Sequence, residues 1–237
     1  ARFSAPVPLA EHFIAGLLLA EQGAVVGDAP TTIAVGDFEI DDALNLSGSA
    51  ENVAFARWCG EIVLAARGTA GMKLCRIAVA ETDLTPGLSV AGEPRDTISV
   101  SRQLDAANVF DAGDDIEHRI RLMGAATRSV MMAGALESTL EMSVQYSQER
   151  SQFGRSISKF QAIQHQLAVM AGEVAASTLA ADCIKESFAS LNEVDIAIGK
   201  ARTGEAVSVC TDLAHGIHGA MGYTLEHSLN HRTRRLW

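Results

Sequence analysis

Two helical patterns meet at one short polar junction, and that junction constrains this 237-residue chain more than any other stretch. From Tyr146 to Ala171 the sequence reads YSQERSQFGRSISKFQAIQHQLAVMA. The first pattern closes on Glu149 and Arg150, where a cation suits the exposed carbonyls and the helix dipole, and Gly154 is expected to stop it. Ser158-Lys159-Phe160-Gln161 reads as a capping box for the second helix. The apolar face that follows, Phe160, Ile163, Leu167, Met170, Ala171 and Val174, has helical spacing. Two long helices are therefore expected to meet across a basic turn.

Upstream, Pro8 to Gly23 reads as a helix with proline near its first turn, glycine after its end, and Leu9, Phe13, Leu17 and Ala20 on the packed face. From Val25 to about Gly113 the texture changes to short β-type runs at Thr31–Val35, Phe38–Ile40, Asn52–Phe55, Glu61–Ala66, Met72–Ala80 and Thr97–Val100. No helix of ordinary length separates them, which disfavours parallel βαβ units and a Rossmann domain. After Asp114-Asp115 the pattern is helical to the end. Ala126, Val130, Ala133, Leu140 and Val144 mark a first helix, and Ala206, Val209, Cys210, Leu213 and Ile217 mark a third that starts near Asn192. A break follows at His218-Gly219-Ala220-Met221-Gly222, then a last helix from about Thr224 to Trp237. The expected fold class is α+β: a remnant helix over 1–24, an antiparallel β-sheet or barrel over 25–113, and a four-helix bundle over 114–237.

A formal charge of −10 gives no support to nucleic-acid binding. The four cysteines, Cys59, Cys75, Cys183 and Cys210, are far apart and form no CxxC pair. Reduced thiols in a cytoplasmic setting are the expectation, and not a disulfide framework or a zinc site. The longest early apolar run, Phe13 to Ala20, is too short to span a bilayer, so no membrane span is expected. The start at Ala1, without methionine or cap, suggests that residues precede it.

Gly68-Thr69-Ala70-Gly71 lacks GxGxxG spacing and a following helix, and reads as a hairpin tip. Glu137 and Glu141, one turn apart, read as a solvated face and not as paired catalytic carboxylates. His215 with His218, or His227 with His231, would share a helix face, but neither pair has a third ligand nearby; polar packing is the expectation and no metal site is assigned. No GxSxG elbow occurs.

The string Glu149-Arg150-Ser151-Gln152-Phe153-Gly154, followed by Phe160-Gln161-Ala162-Ile163-Gln164-His165, resembles the ERxQFGxxIxxFQAxQH signature of acyl-CoA dehydrogenases. His215-Gly216-Ile217-His218-Gly219-Ala220-Met221-Gly222-Tyr223 is similar to the family's QxxGGxGY turn, with Gly216 in place of glutamine and Ala220 in place of the second glycine. Ala5 to Glu11 and Ala91 to Asp96 resemble bacterial members acting on bulky steroid- or terpenoid-like thioesters. The resemblance implies FAD as cofactor, with Arg150, Gln152, Phe153, Ile157, Gln161, Gly219 and Ala220 as its contacts. It also implies an acyl-CoA substrate, electron-transfer flavoprotein as acceptor, and a homo- or hetero-oligomer, dimer or tetramer, whose subunits share FAD sites. A helical domain would precede residue 1.

Segments like TEPxxGSD and (W/Y)ITN, which clasp the flavin ring in that family, are not recognisable. The family's catalytic glutamate would fall beyond Trp237 or near Gly124, so no catalytic base is assigned. Besides a dehydrogenase carrying out α,β-desaturation, two alternatives stay open: a non-catalytic subunit completing a partner's FAD site, and a flavin oxidase or monooxygenase of the same fold.

Overall fold

The computed structural model describes residues 5–236. It divides into two compact units, one over Pro6–Gly124 and one from Ala125 onward, and the division falls inside a long helix.

The first unit begins with α1 (Leu9–Glu21) and continues through β1 (Thr31–Ala34), β2 (Asp37–Ile40), β3 (Asn45–Ala54), β4 (Glu61–Gly68), β5 (Gly71–Ala78), β6 (Asp83–Thr85), β7 (Arg95–Gln103) and β8 (Val109–Asp111). Hydrogen bonding orders these strands β6-β7-β3-β2-β4-β5-β8, with β1 also on β4. The sheet is mixed and not antiparallel throughout, because β1 and β2 both run parallel to β4. Alternation of apolar residues reports which face is buried but not strand direction. The β2–β3 excursion supplies the long crossover that a parallel pair needs, with a single 3-10 turn at Ala56–Trp58 and no α-helix. Among the described residues the sheet does not close into a barrel; β6 and β8 end the path unpaired with each other.

Burial has period two, as at Phe38 and Ile40, Ile62 and Leu64, Cys75 and Ile77, and Ile98 and Val100, which form one core. Thr69-Ala70 makes the β4–β5 hairpin tip. At Gly48, with φ 142°, an added Cβ would lie 2.1 Å from the Asp37 carbonyl oxygen, so only glycine permits that β2–β3 approach.

Asp96 fastens the loop edge of this unit. It is fully buried, pairs with Arg57, and its Oδ2 accepts from the Arg57 amide at 2.9 Å while Oδ1 accepts from the Gly87 amide at 3.2 Å. Burial raises its pKa, but these hydrogen bonds to the charged form outweigh burial and the net shift is downward.

α1 packs on β1, yet by a different face from the one its spacing suggested. Ala10, Ile14, Ala15, Leu18 and Leu19 are buried, whereas Leu9 and Phe13 are 68 % and 51 % exposed. Apolar residues occur all around LAEHFIAGLLLAE, so periodicity alone does not select the packed stripe.

The second unit holds the rest of α2 (Ile116–Glu149), a hairpin of β9 (Ser151–Gln152) and β10 (Arg155–Ser156), then α3 (Gln161–Ser187), α4 (Glu193–His218) and α5 (Ser228–Leu236). These are the four helices read from the sequence; Trp237 lies outside the described residues. Leu136, Met170, Val174, Ala206, Cys210, Ile217 and Leu229 form their common core, and each fully buried Leu or Met side chain contributes about 1.5–3 kcal/mol.

The α2 stripe is more polar than expected. Ser129, Thr139, Ser143 and Ser147 are fully buried, each hydroxyl donating to a carbonyl three or four residues earlier, so no polar group is stranded.

α4 is capped by Asn192 Oδ1, which accepts from the Val194 and Asp195 amides at 3.0 and 3.3 Å. Among the described residues α3 is the one helix long and apolar enough to cross a membrane by length and composition. Here it packs along α4, and its Glu173 pairs with Arg202.

Candidate functional site

The junction between α2 and α3 is a hairpin and not a bare turn. Gln152 faces Arg155 and Ser151 faces Ser156, and the Ile157 amide closes the base by donating to the Arg150 carbonyl at 2.8 Å. Phe153 and Gly154 turn the chain, with φ 52° and 78°. Two successive positive φ values are what a two-residue type I′ turn requires; glycine meets this freely, whereas an aromatic residue is strained.

Gly154 thus serves the hairpin tip and does not stop α2, which ends at Glu149. The expected capping box is likewise absent. Ser158 lies in a short 3-10 turn over Ile157–Lys159, and the residue capping α3 is Phe160, with no side-chain cap bond. Ser156 serves that turn instead: its hydroxyl accepts from the Ser158 amide at 3.3 Å and donates to the Ser147 carbonyl at 2.8 Å.

The hairpin presents charge and an aromatic ring together. Arg150, Gln152, Phe153, Arg155 and Lys159 are all exposed. Phe153 is 91 % exposed, the extreme among the chain's large apolar side chains described. Arg150, Arg155 and Lys159 form no ion pair among the described residues; the neighbouring Glu149 accepts instead from Gln145 at 2.8 Å. In a chain of formal charge −10 this is a local concentration of uncompensated cations. Its chemistry suits an anion carrying a flat ring, since guanidinium groups bind phosphate oxygens and an exposed phenyl offers a stacking face.

Of the other residues drawn from the sequence, Gln161 is exposed at the start of α3, while Ile157 is 8 % exposed and contributes to the bundle core. Its side chain faces protein. Gly219 ends α4 with φ 59° and opens a 3-10 turn over Gly219–Tyr223, on which Ala220 is exposed. The two segments are tied through one residue: Tyr146, four residues before Arg150, donates from its hydroxyl to the His218 carbonyl at 3.3 Å. The histidines around that turn pack on aromatic rings, and among the described residues no group of three His, Cys, Asp or Glu is placed to hold a metal.

Residues 121–236 match the family profile described as acyl-CoA dehydrogenase, C-terminal domain. These residues thus match an acyl-CoA dehydrogenase C-terminal domain. The chain is 32 % identical over 163 residues to the acyl-CoA dehydrogenase IpdE2 of Mycolicibacterium smegmatis, covering 65 % of this chain and 49 % of that protein. It is 39 % identical over 97 residues to the glutaryl-CoA dehydrogenase of Desulfococcus multivorans, covering 40 % of this chain and 25 % of that one. The chain thus spans about half the length of the first relative and a quarter of the second.

Among solved structures, a chain of the ChsE4-ChsE5 complex from Mycobacterium tuberculosis superposes with a TM-score of 0.87 over 98 % of this chain and 70 % of that one. At 20 % identity this likeness concerns the fold, a sheet followed by a helical unit. What the family signature did not reveal is the conformation of Phe153. Strands of two residues leave almost no alternation to read, so the hairpin is invisible to periodicity.

Proposed function

We propose that this chain is part of an FAD-dependent acyl-CoA dehydrogenase that desaturates an acyl-CoA thioester between its α- and β-carbons. The observation that carries this reading is the hairpin: a phenyl ring held exposed at positive φ near three cations that have no ion-pair partner among the described residues. That donor set fits the adenosine and diphosphate part of FAD. Arg150 and Gln152 would hold phosphate oxygens and Phe153 the adenine or ribose, with Gly219 and Ala220 offering close backbone approach. FAD, when bound, supplies the hydride acceptor for the β-carbon. This chain's share is to bind and orient, and no residue of it is assigned as the base.

Because Phe153 projects from its own bundle, the reading places the hairpin against FAD held mainly by a neighbouring subunit, identical or different. Support for a second subunit comes from the ChsE4-ChsE5 neighbour, which is a complex of two proteins. Electron-transfer flavoprotein is the proposed acceptor, and steady-state rates with it and with oxygen distinguish a dehydrogenase from an oxidase.

The direct test is an absorbance spectrum of the purified protein, alone and co-expressed with an adjacent dehydrogenase-like gene. A flavin band in either preparation supports the reading. Two colourless preparations that also fail to take up added FAD overturn it.

A further inference from the structure

A cluster of rings joins the ends of α2 and α4 to the start of α5. His218, 3 % exposed, has Nδ1 2.8 Å from the Ala214 carbonyl oxygen, so Nδ1 carries the proton and donates. Its Nε2 is then a bare acceptor, buried and without a hydrogen-bond partner among the described residues. Tyr146 stacks on this ring at 4.3 Å between centroids, and His227 meets it at 5.0 Å with the planes 67° apart. His227 in turn accepts from the Leu229 amide through Nδ1 at 3.2 Å, which caps α5. One turn earlier on α4, His215 stacks on Tyr223 at 4.3 Å and places Nε2 3.0 Å from Thr233 Oγ1 on α5. Its Nδ1 is buried without a partner, and a Cβ added at Gly222 would lie 3.1 Å from it.

We propose that His215 and His218, packed beside His227, form an acid-sensitive latch, which holds the Gly219–Tyr223 turn and α5 on the bundle while these two imidazoles are neutral and releases them on protonation. His215 and His218 each donate through one nitrogen, to Thr233 Oγ1 and to the Ala214 carbonyl, and keep the other nitrogen bare and buried. A second proton on His218 would sit at an atom with no acceptor and bring a charge next to His227.

α5 carries Arg232, Arg234 and Arg235, α2 presents the neutral Tyr146, and the 3-10 turn presents the neutral Tyr223. Asp212 on α4 is the acid that favours a charged His215. Burial depresses His215, and burial together with His227 and His215 depresses His218, although the Ala214 carbonyl pulls the latter the other way. A folded-state pKa below the ordinary value, about 6.5, means the folded protein binds fewer protons than the unfolded chain, so stability rises with pH across that interval. Acidification from pH 7.5 towards 5.5 therefore loosens the latch.

None of this depends on a cofactor, so the test is run on the purified chain without added flavin. Hydrogen exchange is followed by mass spectrometry at several pH values, after correction for intrinsic rates. Amides of residues 219–236 are expected to lose protection about tenfold or more between pH 7.5 and 5.5, while the α3 core around Met170 and Val174 keeps its own. His218→Phe retains the stacked ring but cannot titrate, and is expected to reduce this step. Where that variant does not accumulate as folded protein, His215→Phe, which keeps a ring on Tyr223 but cannot titrate, is read the same way. Equal loss of protection in α3, or an undiminished step in the variant that folds, would overturn the latch.

Discussion

Phe153 meets Phe160 edge to face, with ring centroids 6.1 Å apart and planes at 84°, while the Arg155 guanidinium carbon lies 4.3 Å from the Phe160 centroid. The hairpin tip is thereby fixed to the first residues of α3 by one aromatic pair and one cation–π contact, each worth about 0.5–1.5 kcal/mol. A ring that is 91 % exposed and also held at φ 52° gains little from burial. Phe153→Gly is expected to remove about 1–2 kcal/mol of backbone strain, against loss of the contact with Phe160. The thermal midpoint should then stay within a few degrees while FAD retention falls. A large drop in the midpoint would show that Phe153 serves the fold.

Arg150 tests the same surface through charge. It forms no ion pair among the described residues, and its backbone supplies the hairpin bonds, so Arg150→Ala leaves the fold intact. Loss of a charge-assisted contact to diphosphate is expected to weaken FAD binding by about tenfold to a hundredfold. Titration of the apoprotein with FAD reads this directly, and an unchanged dissociation constant removes Arg150 from the cofactor site.

The bundle and this signature were legible because they depend on local information: 3.6-residue spacing, Asn192 at a helix start, and a contiguous string around Arg150. The β1–β4 and β2–β4 parallel pairs were not, since pairing direction is decided between strands distant in sequence. β6 and β8, three residues each, are too short to alternate. The buried hydroxyls of α2 read as surface until their bonds to the preceding turn are known. Likewise the histidine cluster draws on α2, α4 and α5, and no window of sequence contains it.

Asp96 contributes to the first unit's response to acid. Its carboxylate pairs with Arg57 and accepts from two backbone amides, and its pKa is held below the ordinary value of about 3.9. A lowered folded-state pKa gives a contribution that is fully present above the unfolded value and is lost as pH falls towards the folded one. Asp96→Asn turns one acceptor into a donor facing other donors, and is expected to cost about 2–4 kcal/mol. Denaturant titrations at pH 7 and pH 3.5 check both halves: the variant is less stable at pH 7, and the gap from the parent narrows at pH 3.5. A gap independent of pH would assign the loss to shape and not to charge.

Gly199 sets how closely α4 lies against α3. A Cβ there would stand 2.3 Å from Ile184 Cδ1 and 2.8 Å from its Cγ1, and Ile184 is fully buried. Gly199→Ala gains about 1 kcal/mol of helix propensity, but overpacking a closed core costs about 1–3 kcal/mol. The net expectation is destabilisation, measured as a lower denaturant midpoint with an unchanged slope. Ile184→Val in the same background should recover part of the loss, and if Gly199→Ala alone raises the midpoint, the helices separate more easily than their contact suggests.

The four thiols divide by environment, which gives a test of α3 in solution. Burial pushes Cys75 up to about 12 and Cys59 and Cys210 up to about 11, so at pH 8 about one thiol in a thousand or fewer at these sites is ionised. Cys183 is exposed on α3. A maleimide reagent on the native protein is expected to modify Cys183 quickly and the other three only after denaturation, with the site identified by peptide mapping. Fast labelling at Cys210 would mean that the helical unit opens on the timescale of the reaction. Slow labelling at all four would mean that Cys183 is covered in solution, and repeating the reaction at rising dilution would then tell a dissociating partner from a local barrier.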